Sequence, residues 1–252
     1  MRILLSIIIL FVSINLSAQE NYRAIYKLDF LIDSLEVKKR YEKNQIKSPS
    51  DPKDKMKAEL SLDMKNRFLN AIKFSKNEYY NLDFNRDKSK FYKPNRIETK
   101  EYKSAKIFLR YRGIYYSFKN ELLHKKNAYG QDFIVKKPKL KWEISSISKK
   151  NGKYTCFKAI TQKKIQSSKG ISYHDVIAWF VPEISFNHGP KGYGGLPGLI
   201  VRLDIGYLSY TIKKIKKLDF LELKKPTKGK IISLKDFEAL GKKMYESRRN
   251  SF

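Results

Sequence analysis

Residues Trp179 to Tyr210 read WFVPEISFNHGPKGYGGLPGLIVRLDIGYLSY, and this stretch decides how the rest of the chain is interpreted. Five glycines and two prolines fall within residues 189–198. Such a run disfavours a helix and favours turns with positive φ. Leu196, Leu199 and Ile200 are too apolar for a solvated loop. The stretch therefore predicts a strand, an irregular loop held against the core, and a second strand.

Four segments in and before this stretch resemble one known family. Gly195 to Ile200 resembles the signature that names the GLPGLI family, which comprises secreted proteins of Bacteroidetes-type Gram-negative bacteria, and Gly189-Pro190 lies upstream of it. Ala178 to Ile184 resembles the family's AWY-x-PEI segment, and Tyr154 to Ala159 resembles its Y-x-C-x-KA strand. Trp142 with Ile144 resembles a W-x-I strand. The resemblance implies export, but the family has no established activity and so implies no catalytic residue.

The clear part of this resemblance covers residues 140–212, whereas Tyr26 to Leu35 is only loosely similar. We define the signature loop by the following residues: Gly189, Pro190, Gly194, Gly195, Leu196, Pro197, Gly198, Leu199 and Ile200. It is expected to be a structural wedge, with its leucines inserted near Trp142 and Trp179, in preference to a ligand loop. A phosphate-binding loop is excluded because a strand follows and no Lys-Ser/Thr stands at the required spacing.

The N-terminus has the pattern of a signal peptide. Met1-Arg2 is followed by an apolar run from Ile3 to Leu16 and by the small residues Ser17 and Ala18. This run is shorter than the ~20 residues that a spanning helix needs. We therefore expect cleavage near Ala18, a single domain over residues 19–252, and a soluble periplasmic or secreted protein with no transmembrane segment in the mature chain.

The chain is strongly basic, with 54 Lys+Arg against 25 Asp+Glu and a formal net charge of +29. This charge fits an anionic partner such as lipid phosphate, lipopolysaccharide or acidic glycan. Its composition offers a simpler explanation, because lysine greatly outnumbers arginine and arginine grips phosphate better. Composition is the preferred interpretation, although a charge of this size must affect non-specific binding.

Alternating apolar residues predict many short strands, beginning with Tyr22 to Phe30. The same argument predicts strands at 56–65, 68–74, 78–84, 105–111 and 114–118, with loops at 37–55 and 85–103. Asn151-Gly152 between two alternating runs predicts a hairpin. Ser233 caps a predicted C-terminal helix. The fold is expected to be mainly β, as a single curved antiparallel sheet or an open barrel or sandwich.

The candidate chemical groups are few. Asp175, Glu183 and His188 are weak acid/base candidates, and His174 with Asp175 cannot chelate a metal together because adjacent strand residues face opposite ways. Cys156 is expected to be a buried apolar residue. No metal, cofactor or catalytic residue is predicted.

These features predict an exported, non-enzymatic β-protein that binds or supports a cell-envelope component. The expected partner is an anionic envelope component or an outer-membrane protein, and not nucleic acid. Two alternatives stay open, an accessory subunit of an outer-membrane receptor and a hydrolase of envelope polymers that uses the weak candidates above.

Overall fold

The structure is a computed structural model that describes residues 20–43, 51–119, 121–167 and 170–249. The predicted signal peptide and the middle of the predicted loop at 37–55 lie outside these residues. The elements in chain order are β1 (Asn21–Phe30), α1 (Ser34–Lys43), α2 (Pro52–Ser75), β2 (Tyr79–Phe84), β3 (Lys88–Tyr92), α3 (Lys100–Leu109), β4 (Ile114–Phe118), β5 (Glu121–Ala128), β6 (Gln131–Lys137), β7 (Glu143–Asn151), β8 (Tyr154–Ser167), β9 (Gly170–Val181), a 3₁₀ turn (Pro190–Gly192), β10 (Leu199–Ile205), β11 (Leu208–Leu218), β12 (Lys230–Ser233) and α4 (Leu234–Arg249).

The described strands form one twelve-stranded sheet in the order β12-β6-β5-β4-β3-β2-β1-β11-β10-β9-β8-β7. Strand β1 lies in the middle and joins two antiparallel meanders, one running from β2 to β6 and the other from β11 to β7. The pairing of β12 with β6 is parallel, so the sheet is mixed. The prediction of a mainly β fold with one sheet and a C-terminal helix is confirmed, and the sheet is not closed over the described residues.

The main core lies on one face of β1 and of its two neighbours, β2 and β11. Alternate β1 residues Ala24, Tyr26 and Leu28 are fully buried, and they pair in register with Leu82, Tyr80 and the core face of β11. Helix α2 covers this face through Phe68, whose ring makes edge contacts with the rings of Phe30, Phe108 and Tyr207. Large aromatic rings therefore fill much of the space between the helices and the sheet.

Two predicted strands are wrong, because residues 56–65 and 68–74 belong to α2. Alternation from Met56 to Met64 also fits a solvated helix, and Met56, Leu60 and Leu62 are indeed exposed. The buried positions Phe68, Ala71 and Ser75 have helical spacing. The start signal is Asp51-Pro52, where the Asp51 side chain accepts a hydrogen bond from Asp54 N and Pro52 opens the helix.

The predicted strand at 105–111 is also wrong, and both predicted loops contain regular structure. Thr99 caps α3 by accepting from Tyr102 N, and Tyr102, Ala105 and Leu109 form its buried stripe. The predicted loop at 85–103 contains β3 and the start of α3, and the loop at 37–55 contains most of α1. Most charged residues of both predicted loops lie on the solvated faces of these elements. Lys93 is an exception, because its side chain is 10% exposed and pairs with the buried Glu78 at 3.1 Å.

Local turn and cap signals are confirmed. Gly152 has φ +58° in the β7–β8 hairpin, where Asn151 pairs with Tyr154. Asp236 N donates to Ser233 Oγ at 3.1 Å at the start of α4, and Phe237 is buried against Phe133. No helix in the described ranges combines the length and apolar character needed to cross a membrane.

Candidate functional site

The signature loop folds back on its own flanks through backbone hydrogen bonds. Leu199 N donates to Ile184 O at 3.0 Å, and Gly195 N donates to Asn187 O at 2.8 Å. The indole Nε1 of Trp142 donates to Gly194 O at 2.9 Å. The polar backbone of an irregular segment is thus satisfied inside the fold.

The apolar residues of the loop lie in the main core. Leu196, Leu199 and Ile200 are at most 1% exposed and share the core with Trp142. The prediction that these residues also lie near Trp179 is wrong. That residue packs in a separate cluster with Cys156, because Ala178 and Phe180 occupy the core face of β9 and Trp179 points the other way.

Gly198 permits the close approach of the loop to the end of β9. Its φ is +149°, and a Cβ atom built there would lie 2.2 Å from the carbonyl oxygen of Val181. Any side chain would therefore clash with backbone and adopt an unfavourable dihedral angle. Gly195 also has a positive φ, +84°, but a Cβ there would meet nothing within 4 Å. The close approach thus requires glycine at 198, whereas at 195 the need is conformational only.

The three weak acid/base candidates have separate surroundings. His188 is 4% exposed, hydrogen-bonds Asn85 O through Nε2 at 2.9 Å, and has its pKa lowered chiefly by burial. Glu183 Oε1 accepts from Thr155 N at 3.2 Å, and Asp175 is exposed on β9. Within the described ranges, no three His, Cys, Asp or Glu residues are grouped to hold a metal ion.

Glu183 does line an open groove of 980 Å³. The groove combines aromatic walls with charged side chains, and it is bounded by Glu20, Tyr22, Phe84, Arg86, Asp87, Tyr154, Glu183, Ile184, Ser185, Phe186 and Ile215. Its size falls within the range usual for ligand sites.

A second candidate site is a cluster of cations that sequence reasoning did not find. We call it the basic cluster and define it by Arg110, Arg112, Lys126, Lys137, Lys163 and Lys191. These residues come from the end of α3, the α3–β4 connection, β5, β6, β8 and the 3₁₀ turn. Three lysines, at 126, 137 and 191, are half-buried, and the other three cations are exposed around them.

Curvature of the sheet brings the members of this cluster together. Strands β6 and β8 are nine strand spacings apart, about 43 Å if the sheet were flat. Lys137 Nζ on β6 nevertheless lies 5.6 Å from the ring centre of Tyr193, which stands between β9 and β10 in the other meander. The turn before Tyr193 packs against β5, where a Cβ atom at Gly192 would lie 2.7 Å from Leu122. The sheet therefore curves so that its two meanders approach each other at the cluster, and Lys163 contributes to the lowered pKa of Lys137.

Lys191 lies at the centre of the cluster. Its backbone is left-handed, with φ +56°, and Nζ donates to Arg110 O at 2.8 Å. Arg110 is itself left-handed, at the C-cap of α3, and its guanidinium lies 4.4 Å from the ring centre of Tyr207. Two unusual backbone positions thus hold two cations beside each other.

The electrostatics of the cluster are unfavourable for its own charges. Burial lowers the pKa of Lys191 to about 7, with further contributions from Lys163, Lys137, Arg110 and Arg112. Burial, Lys163 and Lys126 lower the pKa of Lys137 to about 8, opposed weakly by Glu238. Over the described part of the chain, none of the six cations forms an ion pair with a carboxylate. The three half-buried lysines therefore lack the carboxylate partner that half-buried charges usually have.

Aromatic rings form the floor of the cluster. The rings of Tyr115 and His124 stack with centroids 4.0 Å apart. Lys137 Nζ lies 5.6 Å from the ring centres of Tyr115 and Tyr193, and Lys191 Nζ lies 5.5 Å from that of Tyr210. Burial lowers the pKa of His124 to about 3, so the ring is neutral and donates Nε2–H to the carbonyl of Arg112.

Comparison with known proteins adds a family match of limited extent. Residues 171–202 match the model of a family described as a protein of unknown function, Porph_ging. No curated protein matches the chain. Two solved structures of PNGF-II, in the C2 and P21 space groups, are similar over 87% and 88% of this chain, with a TM-score of 0.48 and identities of 12% and 14%. The chain spans about a third of the length of those structures, 32% and 33%.

Proposed function

We propose that this protein is an exported binding protein that holds an anionic component of the cell envelope at the basic cluster. The observation that carries the proposal is the convergence of six cations without a carboxylate partner. Half-buried like charges destabilise one another, and a bound anion would reverse the sign of that interaction. The site thus favours a ligand with several negative groups, such as phosphates or carboxylates.

Export rests on the signal-peptide pattern and on the resemblance of the signature loop to the GLPGLI family. The signature loop contributes to the proposed site structurally. Lys191 lies between the two parts of this loop, and the buried residues of the loop fix the position of the turn that carries Lys191. Overall positive charge would steer an anion towards the protein, and the cluster would select where it binds.

The test is isothermal titration with inorganic tripolyphosphate, a compact polyanion. The double variant Lys137→Met/Lys191→Met removes two lysines from the cluster, and Lys213→Met/Lys216→Met removes two exposed lysines from β11 as a control. We expect the first to weaken binding at least about tenfold and the second no more than about twofold. Equal affinity in all three proteins would mean that the net charge, not the cluster, binds anions.

A second arm distinguishes the sources of the anionic groups. The same proteins are sedimented with vesicles of anionic lipid at low and raised salt. Sedimentation that tripolyphosphate competes away would assign the site to a lipid headgroup. Tripolyphosphate binding without sedimentation would assign it to a soluble anion or an envelope polymer.

A hydrolase acting on envelope polymers is the second candidate, favoured by the groove beside Glu183. Release of fragments from envelope polymers by the wild-type protein, lost in Glu183→Gln, would support it. No release by the wild type would exclude it. An accessory role at an outer-membrane receptor would appear as co-purification of that receptor from envelope extract.

A further inference from the structure

Lys191 differs from the other members of the basic cluster in how it is held. The turn that carries it packs against β4 and β5, where a Cβ atom at Gly192 would lie 2.7 Å from Leu122 and 3.2 Å from Tyr115. The amine is tied by one hydrogen bond to the carbonyl of Arg110. It is therefore a positioned nitrogen, and not one end of a freely moving surface chain.

The surroundings of this nitrogen favour the neutral amine. Lys137 on β6, Lys163 on β8, and Arg110 and Arg112 after α3 all lower its pKa, and the ring centre of Tyr210 lies 5.5 Å from Nζ. All four of these charged residues are cations. Lysines desolvated beside other cations are the ones that proteins use as nucleophiles towards carbonyl groups.

We propose that Lys191 is a reactive amine that condenses with the carbonyl group of a small anionic aldehyde or ketone, forming an imine. This inference rests on the proposed function, because the anionic group of the ligand is held by the surrounding cations. The hydrogen bond to Arg110 uses one N–H and leaves the lone pair of a neutral amine free to attack. The cations around it would place the carbonyl within reach.

Imine formation requires only the amine of Lys191 and the carbonyl group of the ligand. The nitrogen lone pair forms a bond to the carbonyl carbon, and the oxygen becomes the hydroxyl of a carbinolamine. That oxygen then leaves as water with the two protons of the amine, so no oxidant or reductant takes part. Imine formation is reversible, and the capture would be too.

Selectivity among 43 lysines follows from the fraction that is neutral. An ordinary lysine is less than about 0.1% neutral at pH 7, whereas Lys191, with its pKa lowered to about 7, is about half neutral. A less basic amine is also intrinsically less nucleophilic, which offsets part of this advantage. We expect Lys191 to react at least about tenfold faster than exposed lysines.

The experiment is reductive trapping of the whole protein with glyoxylate and cyanoborohydride near neutral pH, followed by peptide mass spectrometry. Propionaldehyde, an uncharged aldehyde, is the comparison probe. We expect glyoxylate to modify Lys191 at least tenfold faster than Lys213, and propionaldehyde to show a smaller preference. Replacement of two neighbours, in Lys137→Met/Lys163→Met, should reduce the preference, because it removes two of the cations that attract the anionic probe and that add to the effect of burial on the pKa of Lys191.

The outcomes separate this inference from the proposed function. Equal modification of Lys191 and Lys213 by glyoxylate would overturn the imine, and tripolyphosphate binding that persists would leave the anion site standing. Selective trapping at Lys191 in a protein that does not bind tripolyphosphate would support the reactive amine and overturn anion binding as the main function. An unchanged preference in Lys137→Met/Lys163→Met would show that the neighbouring cations are not its cause.

Discussion

The hydroxyl of Tyr26 donates a hydrogen bond to the carbonyl oxygen of Ile200 at 2.5 Å, and both residues are fully buried. The β9–β10 register shifts between Ile200 and Arg202, where a bulge interrupts the ladder. Ile200 N is bonded to His188 O at 3.0 Å. The central strand β1 thus satisfies the carbonyl that the bulge frees, and it ties the signature loop to the middle of the sheet.

Tyr26→Phe should destabilise the protein by about 1–3 kcal/mol, because the buried carbonyl of Ile200 loses its partner. The matched control is Tyr80→Phe. The Tyr80 hydroxyl is buried without a hydrogen-bond partner among the described residues, so its removal should leave stability unchanged or raise it. Urea unfolding measures both, and equal losses would refute the role given to the Tyr26 bond.

Gly198→Ala should be far more damaging than Gly195→Ala. At 198 the new Cβ meets the carbonyl of Val181 at 2.2 Å, so backbone must move. At 195 only the positive φ opposes alanine, at a cost of roughly 1–2 kcal/mol. The unfolding midpoints of the two variants measure the difference. Similar midpoints would show that the loop is not wedged against the end of β9.

Leu199→Ala should cost about 2–5 kcal/mol through loss of buried surface and the cavity left behind. Leu62→Ala, on the exposed side of α2, should change stability by no more than about 0.5 kcal/mol. Both are measured by urea unfolding beside tripolyphosphate binding. A Leu199→Ala protein of wild-type stability that had lost binding would make the signature loop a ligand site.

Stability should rise with pH between about pH 7 and pH 9.5. The pKa of Lys191 is about 7 in the fold and roughly 10.4 in the unfolded chain, so the unfolded chain binds more protons in that window. Lys137, with its pKa lowered to about 8, acts in the same direction. Above this range the buried tyrosines act in the opposite direction. Burial raises their pKa values in the fold, so they lose their protons in the unfolded chain first and the free energy of unfolding falls as pH rises.

Lys191→Met isolates the contribution of this lysine to that rise. The variant should be more stable than the wild type at about pH 7, and its advantage should shrink as pH approaches about 9.5. Lys213→Met controls for the loss of one positive charge. An advantage of Lys191→Met that stayed constant with pH would contradict the unfavourable charge assigned to Lys191.

Sequence patterns predicted the structure where the deciding contacts are local. Asn151-Gly152 and Ser233 act within a few residues, and the Gly/Pro run of the signature loop disfavours an α-helix by itself. The strand predicted from Met56 to Lys65 failed because alternation fits an exposed helix equally well. Only the Asp51-Pro52 cap and the helical spacing of Phe68 and Ala71 distinguish the two.

The basic cluster could not be predicted in the same way. Lys191 and its hydrogen-bond partner Arg110 are 81 positions apart, and Lys137 and Lys163 lie on strands that are nine spacings apart in the order of the sheet. In a chain with so many lysines, charge alone did not mark these six. The nearest sequence signal was that Lys191 stands inside the signature stretch, between glycines that permit an unusual turn.

The central claim, that anions bind at the basic cluster and not over the whole basic surface, is tested most directly by differential lysine labelling. The protein is acetylated briefly with and without tripolyphosphate, and every lysine is quantified by peptide mass spectrometry. We predict that protection is concentrated at Lys126, Lys137, Lys163 and Lys191. Protection spread evenly over exposed lysines such as Lys213 and Lys216, with none in excess at the cluster, would contradict the claim.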